Sequence, residues 1–79
     1  MSGESIRKLL RAQPFFPFEI HLSGGEVHHV THPELAWVAG SEVYVYYPES
    51  ERVAWCSLLH VTSLERSQNG QPKKKGGKS

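Results

Sequence analysis

His28-His29-Val30-Thr31-His32 is the densest run of metal-capable side chains in the chain, and His21 lies one short turn before it. Imidazoles are the usual nitrogen ligands of zinc and copper. An extended strand, however, does not gather them. Adjacent residues on a strand face opposite sides, so His28 and His29 cannot easily share an ion. His28 and His32 share a face but stand ~13 Å apart at ~3.3 Å per residue. His21 could lie across a hairpin from one of the pair, giving two ligands where a closed zinc site takes four. His21, His28 and His29 are thus weak metal candidates, and no metal or other cofactor is expected.

Covalent chemistry finds even less support. Cys56 is the only cysteine, which excludes an intrachain disulfide, and its apolar neighbours Trp55 and Leu58 point to a buried packing thiol. Cys56 and His60 have the residue types of a nucleophile and base, but Cys56 is expected to end a strand, before the turn that carries His60 begins. The chain has no Asp, no glycine-rich phosphate loop and no G-x-S-x-G elbow. No catalytic residues are expected, and the protein reads as non-enzymatic.

Aromatic residues offer a different chemistry. Glu42-Val43-Tyr44-Val45-Tyr46-Tyr47 alternates valine with tyrosine, so one face suits a core and the other leaves rings outward. Exposed aromatic clusters are enriched at interfaces, which makes Trp37, Tyr44, Tyr46 and Tyr47 the expected interaction surface. The same rings, with Trp55, could stack on RNA bases. Lys73, Lys74, Lys75 and Lys78 would then be the nucleic-acid contact candidates, through attraction to phosphates that fades with salt. Against this, residues 1–70 hold five cations and eight carboxylates, a charge of −3, and the basic residues that bring the total to +1 lie at the C-terminal end.

The elements that position these residues follow from spacing and punctuation. Seventy-nine residues, 38% apolar, hold one domain near the lower size limit for independent stability. Ile6, Leu9 and Leu10 share one face of a short helix, capped by Ser2 or Ser5 and stopped near Ala12 by Pro14. Phe18, Ile20 and Leu22 alternate with Glu19 and His21 as a half-buried strand. Gly24-Gly25 turns it into a return strand, Glu26 to Thr31, whose register stays open: a two-residue turn sets Val27 and His29 on the core side, and a glycine bulge, the favoured reading, sets His28 and Val30 there. Pro33 breaks the ladder. Strands follow over 35–39, 42–47 and 52–56, then a single helical turn over Ser57–His60, which His60 is expected to anchor against the rim of the domain, and a last strand over 61–65.

In order these elements are close to those of a small five-stranded antiparallel SH3-like or Sm-like barrel, so a mainly β domain over 1–66 is expected, with an N-terminal α-helix and such a barrel. Phe15, Phe16 and Phe18 around two prolines are expected to plug its end. The alternative is an open antiparallel sheet with the helix packed on one face. Residues 67–79 read as a disordered basic tail. No apolar run is long enough to span a membrane, and Met1-Ser2-Gly3-Glu4-Ser5 lacks an export pattern, so a cytoplasmic location is expected.

Gln13-Pro14-Phe15-Phe16-Pro17-Phe18, Ile20-His21-Leu22 with Gly25, Val30, His32-Pro33-Glu34 and Leu58-Leu59-His60-Val61-Thr62-Ser63-Leu64-Glu65 together resemble a family of short, uncharacterised bacterial proteins. Its shared pattern is roughly QPFxPF, IHLxxG, HPE and LLxVTxLE. The resemblance implies a common fold and carries no activity. The expected function is a small binding or assembly module, with an unknown protein partner or self-association. The alternative is an Sm-like RNA-binding protein acting as an oligomeric ring, and a minor alternative is a histidine-based metal-binding protein.

Overall fold

The computed structural model describes residues 2–67. Helix α1 (Gly3–Arg11) begins at Ser2, whose side chain accepts from the Glu4 amide at 3.1 Å, and ends at Ala12 ahead of Pro14. Six strands follow: β1 (Phe18–Leu22), β2 (Val27–Val30), β3 (Ala36–Ala39), β4 (Glu42–Tyr47), β5 (Arg52–Ser57) and β6 (Val61–Arg66). They form two separate three-stranded antiparallel sheets, ordered β2-β1-β6 and β3-β4-β5. The expected closed five-stranded barrel is therefore corrected to two open sheets, and the helix does not lie across a single sheet either.

The reason lies in the two crossings. Closing a barrel on short strands requires some strand to bend from one sheet into the next. Here the chain leaves each sheet through one turn of 3-10 helix instead, Pro33–Leu35 before β3 and Leu58–His60 before β6. Pro33 has no amide to extend the β2 ladder. Ser57 turns its hydroxyl back to accept from the Leu59 amide at 3.2 Å, which ends β5. No strand belongs to both sheets, so the ladder is interrupted twice.

One core joins the layers. Phe18, Ile20 and Leu22 of β1 are buried while Glu19 and His21 are not, and Val43 and Val45 of β4 are buried between outward Glu42, Tyr44 and Tyr46. Ile6, Phe15, Val30, Ala36, Cys56, Leu58 and Val61 complete the cluster. Leu9 and Leu10 pack against it from the helix, which lies along the β3–β6 side. Gly3 permits this close docking, since a Cβ there would meet Val38 Cγ1 at 2.9 Å. The phenylalanines divide. Phe15 and Phe18 are core rings in edge contact at 6.1 Å, whereas Phe16 lies half-buried under the Arg66 guanidinium, 3.9 Å from its ring centre.

The β1–β2 hairpin closes over Ser23-Gly24-Gly25. The Leu22 carbonyl accepts from the Gly25 amide at 3.0 Å, and the Leu22 amide donates to Glu26 at 2.9 Å. Gly25 takes φ +94°, the left-handed residue of a three-residue turn with a glycine bulge. The resulting register pairs Ile20 with His28 and Phe18 with Val30, the parity the bulge predicts. At the other end, the Ser67 amide donates to the Pro17 carbonyl at 3.1 Å, extending the β1–β6 pairing. The rest of the expected basic tail, with Lys73, Lys74, Lys75 and Lys78, lies outside the described residues.

Two substitutions test this account. Ile20→Ala removes a fully buried side chain between the sheets and is expected to cost about 3 kcal/mol, a large part of a small domain's stability. Gly25→Ala forces a Cβ into the left-handed region and is expected to cost about 1 kcal/mol or more. Urea titrations followed by tryptophan fluorescence read both as lowered midpoints.

Candidate functional site

Alternation in the β3-β4-β5 sheet gives it an aromatic outer face. Register places Trp37 opposite Tyr44, and Tyr44 opposite Trp55, so the three rings form one row across all three strands. Trp37 and Tyr44 stack nearly parallel, with centres 5.2 Å apart and planes inclined by 9°. Tyr46 and Val53 pair in the next row. Trp37 is 45% exposed, Val53 53% and Trp55 68%, so large apolar side chains stand in water on a regular sheet surface. The Tyr44 hydroxyl donates to Glu42 Oε1 at 3.0 Å, and that carboxylate pushes the tyrosine above its ordinary pKa.

The structure thus brings Trp37, Tyr44 and Tyr46 together and removes Tyr47 from the set. Tyr47 ends β4 with the parity of Val43 and Val45, packs against the core, and is hydrogen-bonded to His28 Nδ1 at 2.7 Å. Burial pushes its hydroxyl upward in pKa. Trp55 and Val53 belong to the face but were not among its expected members. The signal for them is period-two alternation in Arg52–Cys56, which sets Ala54 and Cys56 inward and Val53 and Trp55 outward. Knowing that Trp55 meets Tyr44 required the strand register.

The histidines separate as strand geometry demands. His28 turns toward Tyr47, with ring centres 6.0 Å apart. His21 and His29 point out from the β2-β1-β6 sheet, where two carboxylates join them. His21 Nε2 donates to Glu19 Oε1 at 2.8 Å and stands 3.8 Å from Glu65 Oε1, and His29 Nδ1 lies 3.6 Å from Glu19 Oε2. The carboxylates are what a search for histidine and cysteine alone overlooks. His32 is exposed, beside the Thr31 hydroxyl at 3.1 Å. His60 does not anchor its turn by its ring, which is exposed. Its backbone carbonyl does so, accepting from the Ser23 amide at 2.8 Å.

Between β2 and β5 the two sheets gape. An open cleft of about 520 Å³ there is lined by Leu22, His28, Trp55, Cys56 and His60 among others. Cys56 lies buried at its wall, and burial pushes the thiol upward in pKa, the reverse of nucleophile activation. Among the described residues no helix is long and apolar enough to cross a membrane. Comparison with known proteins finds no matching family model, no matching curated protein and no matching solved structure.

The raised Cys56 and Tyr47 values carry a pH dependence. A group whose folded pKa lies above its unfolded one stabilises fully below the unfolded value and less as pH climbs toward the folded one. Stability is therefore expected to fall from about pH 8.5 upward, where an unfolded thiol ionises. Urea midpoints between pH 7 and pH 10 measure this, and Cys56→Ala is expected to flatten the first part of the decline. Alkylation of Cys56 by iodoacetamide is expected to be at least ~100-fold slower in the native protein than in urea.

Proposed function

We propose that this protein is a non-enzymatic assembly module that associates with a second copy of itself through the outer face of the β3-β4-β5 sheet. The supporting observation is the Trp37–Tyr44–Trp55 row, exposed and in register across three strands. Its layout suits an isologous contact. A twofold axis parallel to β4, running between the two Tyr44 rings, sets Trp37 of one copy over Trp55 of the other. Burying tryptophan removes large apolar area from water, and Trp and Tyr dominate interface energetics. Three strands about 4.8 Å apart offer on the order of 400 Å² per partner, roughly half a standard interface, so the dimer is weak and concentration-dependent.

Charge weighs against RNA as the occupant. The described residues hold five cations and eight carboxylates, and Glu42 places one of those carboxylates within the aromatic face. A phosphate backbone calls for a basic stripe. The Sm-like ring also lacks support, since the sheets do not close into the barrel it is built from. The likeness to the bacterial family remains part of the proposal. The core positions and turns occupied by its motif residues support a shared fold, and they leave the aromatic row outside the pattern.

Light scattering on the full chain tests the proposal. The mass is expected to rise from that of an 8.9 kDa monomer toward twice that value as concentration increases into the submillimolar range. Trp55→Ser is expected to hold the protein monomeric with an unchanged circular-dichroism spectrum, because Trp55 is exposed. A monomer at every concentration overturns the proposal. A ring of six or seven subunits, or oligonucleotide retention that Trp55→Ser abolishes, overturns it in favour of the RNA reading.

A further inference from the structure

We propose that the outer face of the β2-β1-β6 sheet binds one divalent ion of the zinc class, held by Glu19 Oε1, His21 Nε2 and Glu65 Oε1. Glu19 and His21 stand two residues apart on β1, the central strand of that sheet, and Glu65 of β6 lies directly opposite Glu19. Ladders on both sides fix the β1 backbone, so the two ligands it supplies arise from a rigid base. One ligand atom from each of Glu19, His21 and Glu65 lies within 4.8 Å of those of the other two. Zinc–nitrogen and zinc–oxygen bonds of ~2.1 Å set ligand atoms ~3.4 Å apart in a tetrahedron, so rotamer adjustments of about 1 Å suffice.

The orientation of each carboxylate is more telling than proximity. Both turn Oε1 toward His21 Nε2, at 2.8 Å from Glu19 and 3.8 Å from Glu65. Glu65 also has its Oε2 held from the flank. Ser63 Oγ donates to Glu65 Oε2 at 3.1 Å, and His29 Nδ1 stands 3.6 Å from Glu19 Oε2. Outer partners of this kind orient the carboxylate ligands of metal ions. Ser63 is thus a positioning residue for Glu65, while His29 stands beyond hydrogen-bond distance of Glu19.

Electrostatics points the same way. Like charges directly opposite across a strand pair are destabilising, and Glu19 and Glu65 are such a pair. Among the described residues neither forms an ion pair with Lys or Arg. Arg66, the nearest cation in sequence, lies over Phe16 instead. Imidazoles are their only ionic partners. A divalent cation satisfies both carboxylates at once, taking the place of the proton that His21 now donates to Glu19. A nitrogen with two carboxylate oxygens selects zinc and its transition-metal neighbours over magnesium, which prefers oxygen ligands and keeps its waters. Water completes the coordination on this open face.

Calorimetric titration of the untagged full chain with zinc chloride, and separately with magnesium chloride, tests the site. One zinc per chain and no magnesium heat are expected. His21→Ala and Glu65→Gln are each expected to weaken zinc at least tenfold, and Ser63→Ala about tenfold, while His32→Ala and His60→Ala leave it unchanged. Zinc is also expected to raise the melting temperature of the parent protein and not of His21→Ala. Should His21→Ala misfold, Glu65→Gln carries the same comparison on an exposed side chain. Absence of a one-to-one event below ~100 μM zinc, or an event that survives both His21→Ala and Glu65→Gln, overturns the proposal.

Discussion

The structure depends on one contact, the packing of the inward face of β1 against the inward face of β4. Each is the central strand of its sheet. Phe18, Ile20 and Leu22 meet Val43 and Val45 in a core with no buried polar residue. Because a strand alternates strictly, committing one set of side chains to this contact commits the other set to the outside. Every candidate site described here is a consequence. Glu19 and His21 point outward because Phe18 and Ile20 point in, and Tyr44 and Tyr46 point outward because Val43 and Val45 point in.

The two outer faces that result are chemically unlike. One is a lattice of imidazoles and carboxylates around β1, whose charges, among the described residues, find partners only among themselves. The other is a row of rings with a single carboxylate at its border. A small two-layer domain has few side chains to spare beyond its core, and here nearly all that remain on the sheets fall into these two groups. Separation by the full thickness of the sandwich, ~10 Å between sheets, lets each face act without the other. The helix closes the β3–β6 side, leaving the β2–β5 side as a cleft bordered by two unpaired strand edges.

Most residues of the pattern proposed to be shared with the bacterial family occupy a third category. Phe15, Phe18, Ile20, Leu22, Val30, Leu58 and Val61 are core, Gly25 makes the hairpin turn, and Pro33 opens the crossing to β3. These core and turn residues specify how the chain is folded, whereas His21, Ser63 and Glu65 of the same pattern stand on the outer face around β1, so a likeness built mostly on the former would carry architecture and no activity.

Local rules alone settled a good deal. Pro14 ends the helix and alternation sorts each strand into two faces, while Gly24-Gly25 narrowed the hairpin to two registers, of which the structure takes the bulged one that buries Val30. These outcomes need only a few neighbouring residues, because capping, turn torsions and period-two patterning are short-range. The sheet arrangement was not legible in the same way. Strand neighbours are chosen by contacts across the whole chain, and the two one-turn crossings separated the sheets that a barrel would have joined. Trp55 beside Tyr44, Tyr47 turned to His28, and Glu65 opposite Glu19 all follow from inter-strand register. Alternation decides which side of its strand a residue occupies, but only tertiary pairing decides which residue it meets there.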